Sequence, residues 1–401
     1  MAFLSAGERA AVTAKARIFR GRLLSPSDYL RLLECGTVGD IAVYLSRTPA
    51  YEAYFQRIPH PEQLHRGDLE GTISTAPMLE ELPFCHYLGP ERTALLRAWG
   101  ERFDVDVVKR VLRMITTGVG NRDALRRRVA SVPITLADGE KLLEARTLRD
   151  VQEAIRGYPL EKVLTEPLKQ AERQSGAPGQ GGFPNLFRAK MAMDTFFLTR
   201  ILSEGGRLPG SEGRGVRRIF GTRADLINLY WIYRGRRFFA MTPEEALGMT
   251  LPVRYKLNFE ALSAFAFAPD VPAMMKLMRE SRYRVSFTPG GDSGAGRPPV
   301  FREGPPGRGE EVEVSEMTLE HNLYRILWRM ASSVFASGSS GVHVALAYLT
   351  LRELEVKDLF TIIEDVRYQY DKKKAREFLI HPGANSFTAG EGGDAAWQSS
   401  R

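Results

Sequence analysis

Few residues in this chain have the types and spacing that chemistry at a site requires. The two histidines of HPEQLH, His60 and His65, stand five positions apart in a Pro-containing stretch, a poor ligand pair for a helix face. The sequence contains no H-E-x-x-H and no C-x-x-C motif, so it predicts no metal site. Both cysteines, Cys35 and Cys85, lie among apolar residues and are interpreted as small buried side chains rather than redox or catalytic groups.

Glycine-rich and serine-rich stretches could hold a phosphate or a nucleophile. GSEGRG at 210–215 superficially suggests phosphate binding, but it follows no strand and its third glycine is at the wrong spacing, so a loop is predicted. The sequence has no G-x-S-x-G motif, no lysine that completes a P-loop, and no partner signature for Ser339. We therefore predict a protein without catalytic residues and without a cofactor.

The charge pattern does not select one partner. The formal net charge is +8, from 56 Lys and Arg against 48 Asp and Glu, and the excess is spread along the chain. A nucleic acid, an acidic protein or an anionic membrane surface would each suit it. RDALRRRVA from Arg122 and RGVRRIF from Arg214 could contact phosphates. They lack interleaved aromatics and a helix-turn-helix signature, so solvated helix faces are preferred and no nucleic-acid partner is predicted.

The elements that carry these residues are predicted to be helices. Apolar residues recur at helical spacing, no series of alternating strands is found, and Ser25-Pro26 and Thr242-Pro243 are helix-start signals. The predicted class is all-α. Gly/Pro-rich composition predicts loops at 173–185 and 288–311 and a disordered tail at 381–401. No window approaches the ~18 apolar residues of a membrane span.

The sequence repeats itself. LLECGTVGDIAVYL from Leu32 and LLEARTLRDVQEAI from Leu142 match at a constant offset, and a weaker third copy places Asp270 opposite Asp150. Each short-helix unit is followed by a long apolar helix, predicted to start at Asp104, Asp225 and Glu355. The order predicts three related helical modules that pack side by side and curve around a concave space.

A polar stripe on the long helices is the main site prediction. DLINLYWIYRGRRFF at 225–239 is apolar almost all round, apart from one narrow stripe of polar residues. We expect the stripe to line the concave face and contact a partner, whereas the alternative is that Asp225 and Glu355 only cap their helices. The candidate interface residues are Asp225, Asn228, Arg236, Glu355, Asp358 and Asp365.

Three stretches in a fixed order resemble a known family. They are ARIFRGRLLSPSDYLRLLECGTVGDIAVYLSRTPAYEAYF near the start, RADLINLYWIYRGRRFF in the middle and VALAYLTLRELEVKDLFTIIEDVR near the end. Together they resemble the central-stalk component of V-type and archaeal-type rotary ATPases, which is the C subunit of prokaryotic enzymes and the d subunit of eukaryotic ones. The resemblance runs from about residue 10 to 380. Two departures are the 288–311 insertion and Asp358, where Asn is usual.

The resemblance implies three pseudo-repeated helical domains arranged as a funnel or collar. Its modules are 1–115, with part of the C-terminal closing helices, then 116–240, then 241–380 with the insertion 288–311. The implied partners are the rotor shaft subunits and the subunits of the membrane rotor ring, at the cytoplasmic face of the membrane. A protein of this family catalyses nothing itself and serves proton or sodium transport or ATP synthesis.

Two other function classes remain open on the sequence alone. A stand-alone α-helical scaffold could bind a protein or nucleic acid in its concave face. An enzyme would need a convergent acid/base pair in a pocket, and the sequence offers none.

Overall fold

The computed structural model describes residues 2–118, 120–132, 134–175, 183–285, 316–369 and 372–385. Within these ranges the chain forms twenty α-helices and no β-strand, which confirms the all-α prediction. The first seven helices are α1 (Ala2–Arg20), α2 (Pro26–Glu34), α3 (Val38–Ser46), α4 (Glu52–Phe55), α5 (Arg66–Ser74), α6 (Ala76–Cys85) and α7 (Pro90–Thr117). The next seven are α8 (Arg122–Ser131), α9 (Gly139–Glu144), α10 (Leu148–Ala154), α11 (Glu161–Ser175), α12 (Phe183–Gly206), α13 (Gly210–Phe238) and α14 (Pro243–Gly248). The last six are α15 (Phe259–Ala266), α16 (Val271–Glu280), α17 (Glu316–Phe335), α18 (Val342–Tyr368), α19 (Lys372–Phe378) and α20 (Pro382–Asn385).

The short helices begin where the sequence placed their caps. Ser25 caps α2 and Thr242 caps α14, each with a proline in the first turn, as predicted, and each cap is in addition a capping box. The sequence repeat has the same basis, because Thr37 of α3 and Thr147 of α10 each form a capping box with the aspartate three residues later. Asp270 is itself the N-cap of α16, so the predicted alignment of the third copy was three residues out of register.

The long helices start earlier than predicted. α13 begins at Gly210, so GSEGRG forms its first turns and is not a loop. Asp104, Asp225 and Glu355 consequently lie near the middles of α7, α13 and α18 rather than at their starts. Leu208, just before α13, is buried, and so is Glu212 in its first turn. This polar, glycine-rich stretch therefore packs against the core and does not form a surface loop.

Buried apolar side chains form three clusters. One joins residues 24–76 to residues 356–384, so the end of the chain completes a core that its beginning started. A second spans 105–193. The third takes in parts of α1, α6 and α7 together with most of α13, α15, α17 and α18. The predicted module limits and their arrangement as a funnel or collar stay predictions.

The predicted loops and tail lie mostly outside the described residues. The whole of 288–311 does, as do 176–182 of the loop predicted at 173–185. Of the predicted disordered tail, residues 382–385 form α20, and Ala384 is fully buried against the first cluster, so disorder is wrong there. None of the helices in the described ranges is both long and apolar enough to cross a membrane.

Candidate functional site

Asp225 is fully buried near the middle of α13 and binds the chain's own backbone. Its carboxylate accepts hydrogen bonds from the N–H groups of Tyr255, at 3.0 Å, and Lys256, at 2.6 Å. It also accepts from the N–H of Leu257 at 3.1 Å and from the hydroxyl of Tyr283 at 2.7 Å. These backbone groups belong to the connector that leads into α15. Asp225 therefore fixes where that short helix starts relative to the long one.

Two other acids make the same kind of contact. In α7, Asp104 accepts from the backbone N–H groups of Thr135, at 2.7 Å, and Leu136, at 3.0 Å, just before α9. In α18, Glu355 accepts from the N–H of Leu24 at 2.8 Å, just before α2. We call Asp104, Asp225 and Glu355 the anchor acids. They show that the third long helix completes the N-terminal short-helix unit.

The rest of the predicted stripe also faces the chain itself. Asn228 accepts from the N–H of Leu251 at 2.7 Å, and Asp358 accepts from the N–H groups of Ile380 and His381 at 2.6 and 3.0 Å. Arg236 donates to the carbonyl oxygens of Met241 and Ala268 at 3.2 and 3.4 Å, and Asp365 is 5% exposed.

The structure therefore does not show the predicted polar stripe as an exposed surface. All but Arg236 of the six candidate residues are buried, because connectors whose backbone groups need partners pack against this face. Capping of their own helices is excluded for Asp225 and Glu355 by their positions in mid-helix. A contact between any of these six residues and a partner stays a prediction.

Burial raises the pKa values of four acids on or beside the long helices. Burial raises the pKa of Asp358 to about 7, although two backbone N–H groups oppose the shift. Burial and the neighbouring charge of Asp104 raise the pKa of Glu81 to about 8. The pKa values of Asp104 and Glu355 are raised by burial too. For Glu355 the guanidinium of Arg352 opposes that shift.

A different face of the same three helices joins them to each other. Arg102, Arg223 and Glu353 each stand two positions before an anchor acid, and we call them the central triad. Arg223 donates to both oxygens of Glu353, from Nη2 at 2.6 Å and from Nη1 at 3.0 Å, and Arg102 binds the same carboxylate. Burial opposes ionisation of Glu353, but the two guanidinium groups outweigh it and hold its pKa well below the usual range. Equivalent positions of α7, α13 and α18 thus meet in one ion cluster.

A cavity of about 370 Å³ opens beside the central triad. We call it the central cavity, and all three long helices line it together with α12 and α17. Equivalent positions contribute again, two and five residues after each anchor acid. These lining residues are Asp106, Ile227 and Lys357 at the nearer position, and Lys109, Tyr230 and Phe360 at the farther one.

Three of the cations that line the central cavity lie against a partner. Lys109 contacts Asp194 at 2.5 Å, Arg128 contacts Asp106 at 2.9 Å, and Lys357 lies 4.4 Å from the centre of the Tyr324 ring. Fixed ion pairs and aromatic rings suit recognition of a protein surface better than proton transfer. Among the described residues, no group of three His, Cys, Asp or Glu side chains could hold a metal ion.

Sequence reasoning missed the central triad. Isolated charges such as Arg102, Arg223 and Glu353 look like solvated surface residues in an apolar helix. The one available signal was their constant offset from the anchor acids, which the repeat makes visible.

Comparison with known proteins agrees with the resemblance seen in the sequence. The profile of the family described as ATP synthase (C/AC39) subunit matches residues 12–378. A curated protein of Methanosphaera stadtmanae, named as the C subunit of an A-type ATP synthase, is 20% identical over 359 residues, which cover 88% of this chain and 83% of that protein. The matched range includes the anchor acids, the central triad and the cavity.

Proposed function

We propose a function from one premise: this chain belongs to the ATP synthase (C/AC39) subunit family. In the proposal it is the non-catalytic central-stalk adaptor of a V/A-type rotary ATPase. It couples the rotor shaft to the membrane rotor ring during proton or sodium transport or ATP synthesis. It lies at the cytoplasmic face of the membrane as a peripheral part of the complex.

The central cavity is the proposed seat of the rotor shaft. It is the place where all three long helices come together, and its wall combines aromatic rings with charges of both signs. A protruding end of the shaft that carries complementary charges would bury Tyr230 and Phe360, and aromatic side chains contribute strongly at protein interfaces. The single observation that carries this assignment is the convergence of equivalent positions from α7, α13 and α18 on one space.

Torque transmission needs a stiff body, and the packing of α18 supports this role. This helix of 27 residues is buried over most of its length, and densely packed interiors compress little. Arg352, fully buried, donates to the Ala50 carbonyl oxygen at 2.6 Å and lies 3.1 Å from Glu80. The last long helix is thus locked to the N-terminal part of the chain.

Purification of the rotary complex from native membranes tests the proposal. We expect this chain to co-migrate with the shaft and ring subunits at one copy per complex. Removal of the chain should leave a catalytic head that hydrolyses ATP without moving ions. A chain that instead purifies as a free monomer, with ion transport unchanged in its absence, would support the stand-alone scaffold and end the proposal.

A further inference from the structure

A second, basic pocket lies between α5, α7 and α8, next to the central cavity. Its volume is about 420 Å³, which is within the range of small-molecule sites. Arg66, Arg110, Arg113 and Arg128 line it, against the single lining carboxylate of Glu70. Arg110 and Arg128 also line the central cavity, so they stand between the two spaces.

The positive charge of this pocket is only partly balanced. Arg66 is neutralised, because it contacts both Glu70 and Glu364. Arg110 and Arg128 share one carboxylate, that of Asp106, at 3.0 and 2.9 Å. Arg113 is exposed and has no ion-pair or hydrogen-bond partner for its side chain among the described residues. Four guanidinium groups therefore face three carboxylates, which leaves one net positive charge at the pocket.

Arg128 is the most informative side chain of the pocket. It is 7% exposed, and its Nε, which is itself buried, has no hydrogen-bond partner. A buried guanidinium that keeps an unused donor is costly unless something else accepts from it. Burial lowers the pKa of Arg128, the carboxylate of Asp106 opposes that shift, and the neighbouring charges of Arg110 and Arg102 add to it. The surroundings of Arg128 thus favour an additional anion.

The walls leave room for such an anion to approach. Gly71 of α5 lines the pocket, and a side chain added there would meet no atom within 4 Å of its Cβ. Asn121, the N-cap of α8, lines it as well, so the positive end of that helix dipole lies at its edge. Guanidinium pairs and a helix N-terminus are the groups that bind phosphate oxygens in proteins.

We propose that this pocket is a binding site for a phosphate-bearing anion, of the phosphate monoester or pyrophosphate type. Arg113 and Arg128 donate to the phosphate oxygens, and the bound anion neutralises the excess positive charge of the pocket. A free phosphate compound and the headgroup of an anionic phospholipid share this chemistry. The site depends on the geometry of this chain alone and not on the function proposed above.

Calorimetric titration of the full chain with inorganic pyrophosphate tests the site. We expect saturable binding that weakens as salt is added, because the contacts are charge–charge contacts. Arg113→Glu reverses the charge at an exposed position, and Gly71→Leu fills open space from a position whose Cβ meets no atom within 4 Å. Each should weaken binding about tenfold or more, as the loss of a charge-assisted hydrogen bond or of the space itself predicts.

The matched control is Arg217→Glu, which makes the same charge change on the exposed face of α13, outside the pocket. It should leave pyrophosphate binding within about twofold of the unchanged chain, as expected for a screened charge beyond the site. Equal loss in Arg217→Glu and Arg113→Glu would show non-specific attraction to a basic protein and overturn the proposal. Retained binding in Gly71→Leu would overturn it too.

Vesicles distinguish the two sources of the phosphate. Flotation with phosphatidylcholine vesicles that contain phosphatidic acid should retain the chain if a lipid headgroup enters the pocket, and Arg113→Glu should release it. Pyrophosphate binding without vesicle binding assigns the site to a soluble phosphate compound. If the unchanged chain binds neither pyrophosphate nor these vesicles, there is no phosphate site.

Discussion

On α7, α13 and α18 the anchor acids and the central triad lie two residues apart but bind different kinds of partner. The anchor acids accept from backbone N–H groups of the connector that precedes a short helix. The triad residues bind each other's side chains across three helices. An anchor acid fixes a connector, and the short helix after it, to one long helix. A residue of the central triad fixes the long helices to one another. The two faces should therefore respond differently to substitution.

Loss of an anchor acid should have the largest effect. Asp225→Ala leaves three backbone N–H groups and the Tyr283 hydroxyl without their acceptor, so we expect the free energy of unfolding to fall by about 3–5 kcal/mol. Urea denaturation followed by circular dichroism measures this. A loss below about 1 kcal/mol, typical of a surface substitution, would indicate that Asp225 is exposed and does not bind the connector.

Loss of the triad carboxylate should cost less. Glu353→Gln leaves two guanidinium groups facing each other, but each arginine side chain is 15% exposed and can reach water. We expect a loss of about 2 kcal/mol of unfolding free energy, below the usual cost of breaking a fully buried pair. A loss larger than that of Asp225→Ala would reverse the proposed order of the two faces.

The two faces should also differ in their dependence on pH. The raised pKa of Glu81, beside the anchor acid Asp104, means that the folded state holds this proton more tightly than the unfolded state. The contribution of Glu81 to the free energy of unfolding is therefore greatest below about pH 4.5 and falls as pH rises towards 8. Glu353 acts in the opposite direction, because its pKa is lowered in the folded state. Its contribution to stability is present above its ordinary pKa of 4.5 and is lost on acidification.

Glu81→Gln should isolate the first of these contributions. The substitution removes the titrating group, so the decline of unfolding free energy between about pH 4.5 and 8, on the order of 2–4 kcal/mol from this residue, should disappear. Denaturant titrations at a series of pH values give the slope. An unchanged slope would mean that Glu81 does not titrate in this range.

Substitution of a cavity wall residue should have the smallest effect on stability. Ile227 is half-buried and lines the central cavity, so Ile227→Glu should change the free energy of unfolding by about 1 kcal/mol or less. Binding of the shaft subunits, measured by pull-down, should nevertheless be lost. Normal pull-down by a folded Ile227→Glu chain would argue against the cavity as the seat.

The sequence predicted what depends on near neighbours. The helix starts at Ser25-Pro26 and Thr242-Pro243 depend on residues within one turn of each other, and the structure confirms them. The sequence repeat was visible because each copy is a short local pattern, with a threonine cap and an aspartate three residues later. The partners of the stripe were not predictable, because Asp225 binds a connector about thirty residues away and Glu355 binds Leu24, at the other end of the chain. A polar residue on an apolar helix indicates a partner, but local pattern does not say whether that partner is water, another protein or the chain's own backbone.

Photo-crosslinking from the cavity wall tests the central claim most directly. A benzoylphenylalanine at position 227 faces the proposed seat, and one at position 259, where Phe259 is 52% exposed on a short helix, is the control. In native membranes we predict that position 227 captures a rotor shaft subunit and that position 259 does not. Assembled complexes in which position 227 captures no shaft subunit would contradict the account.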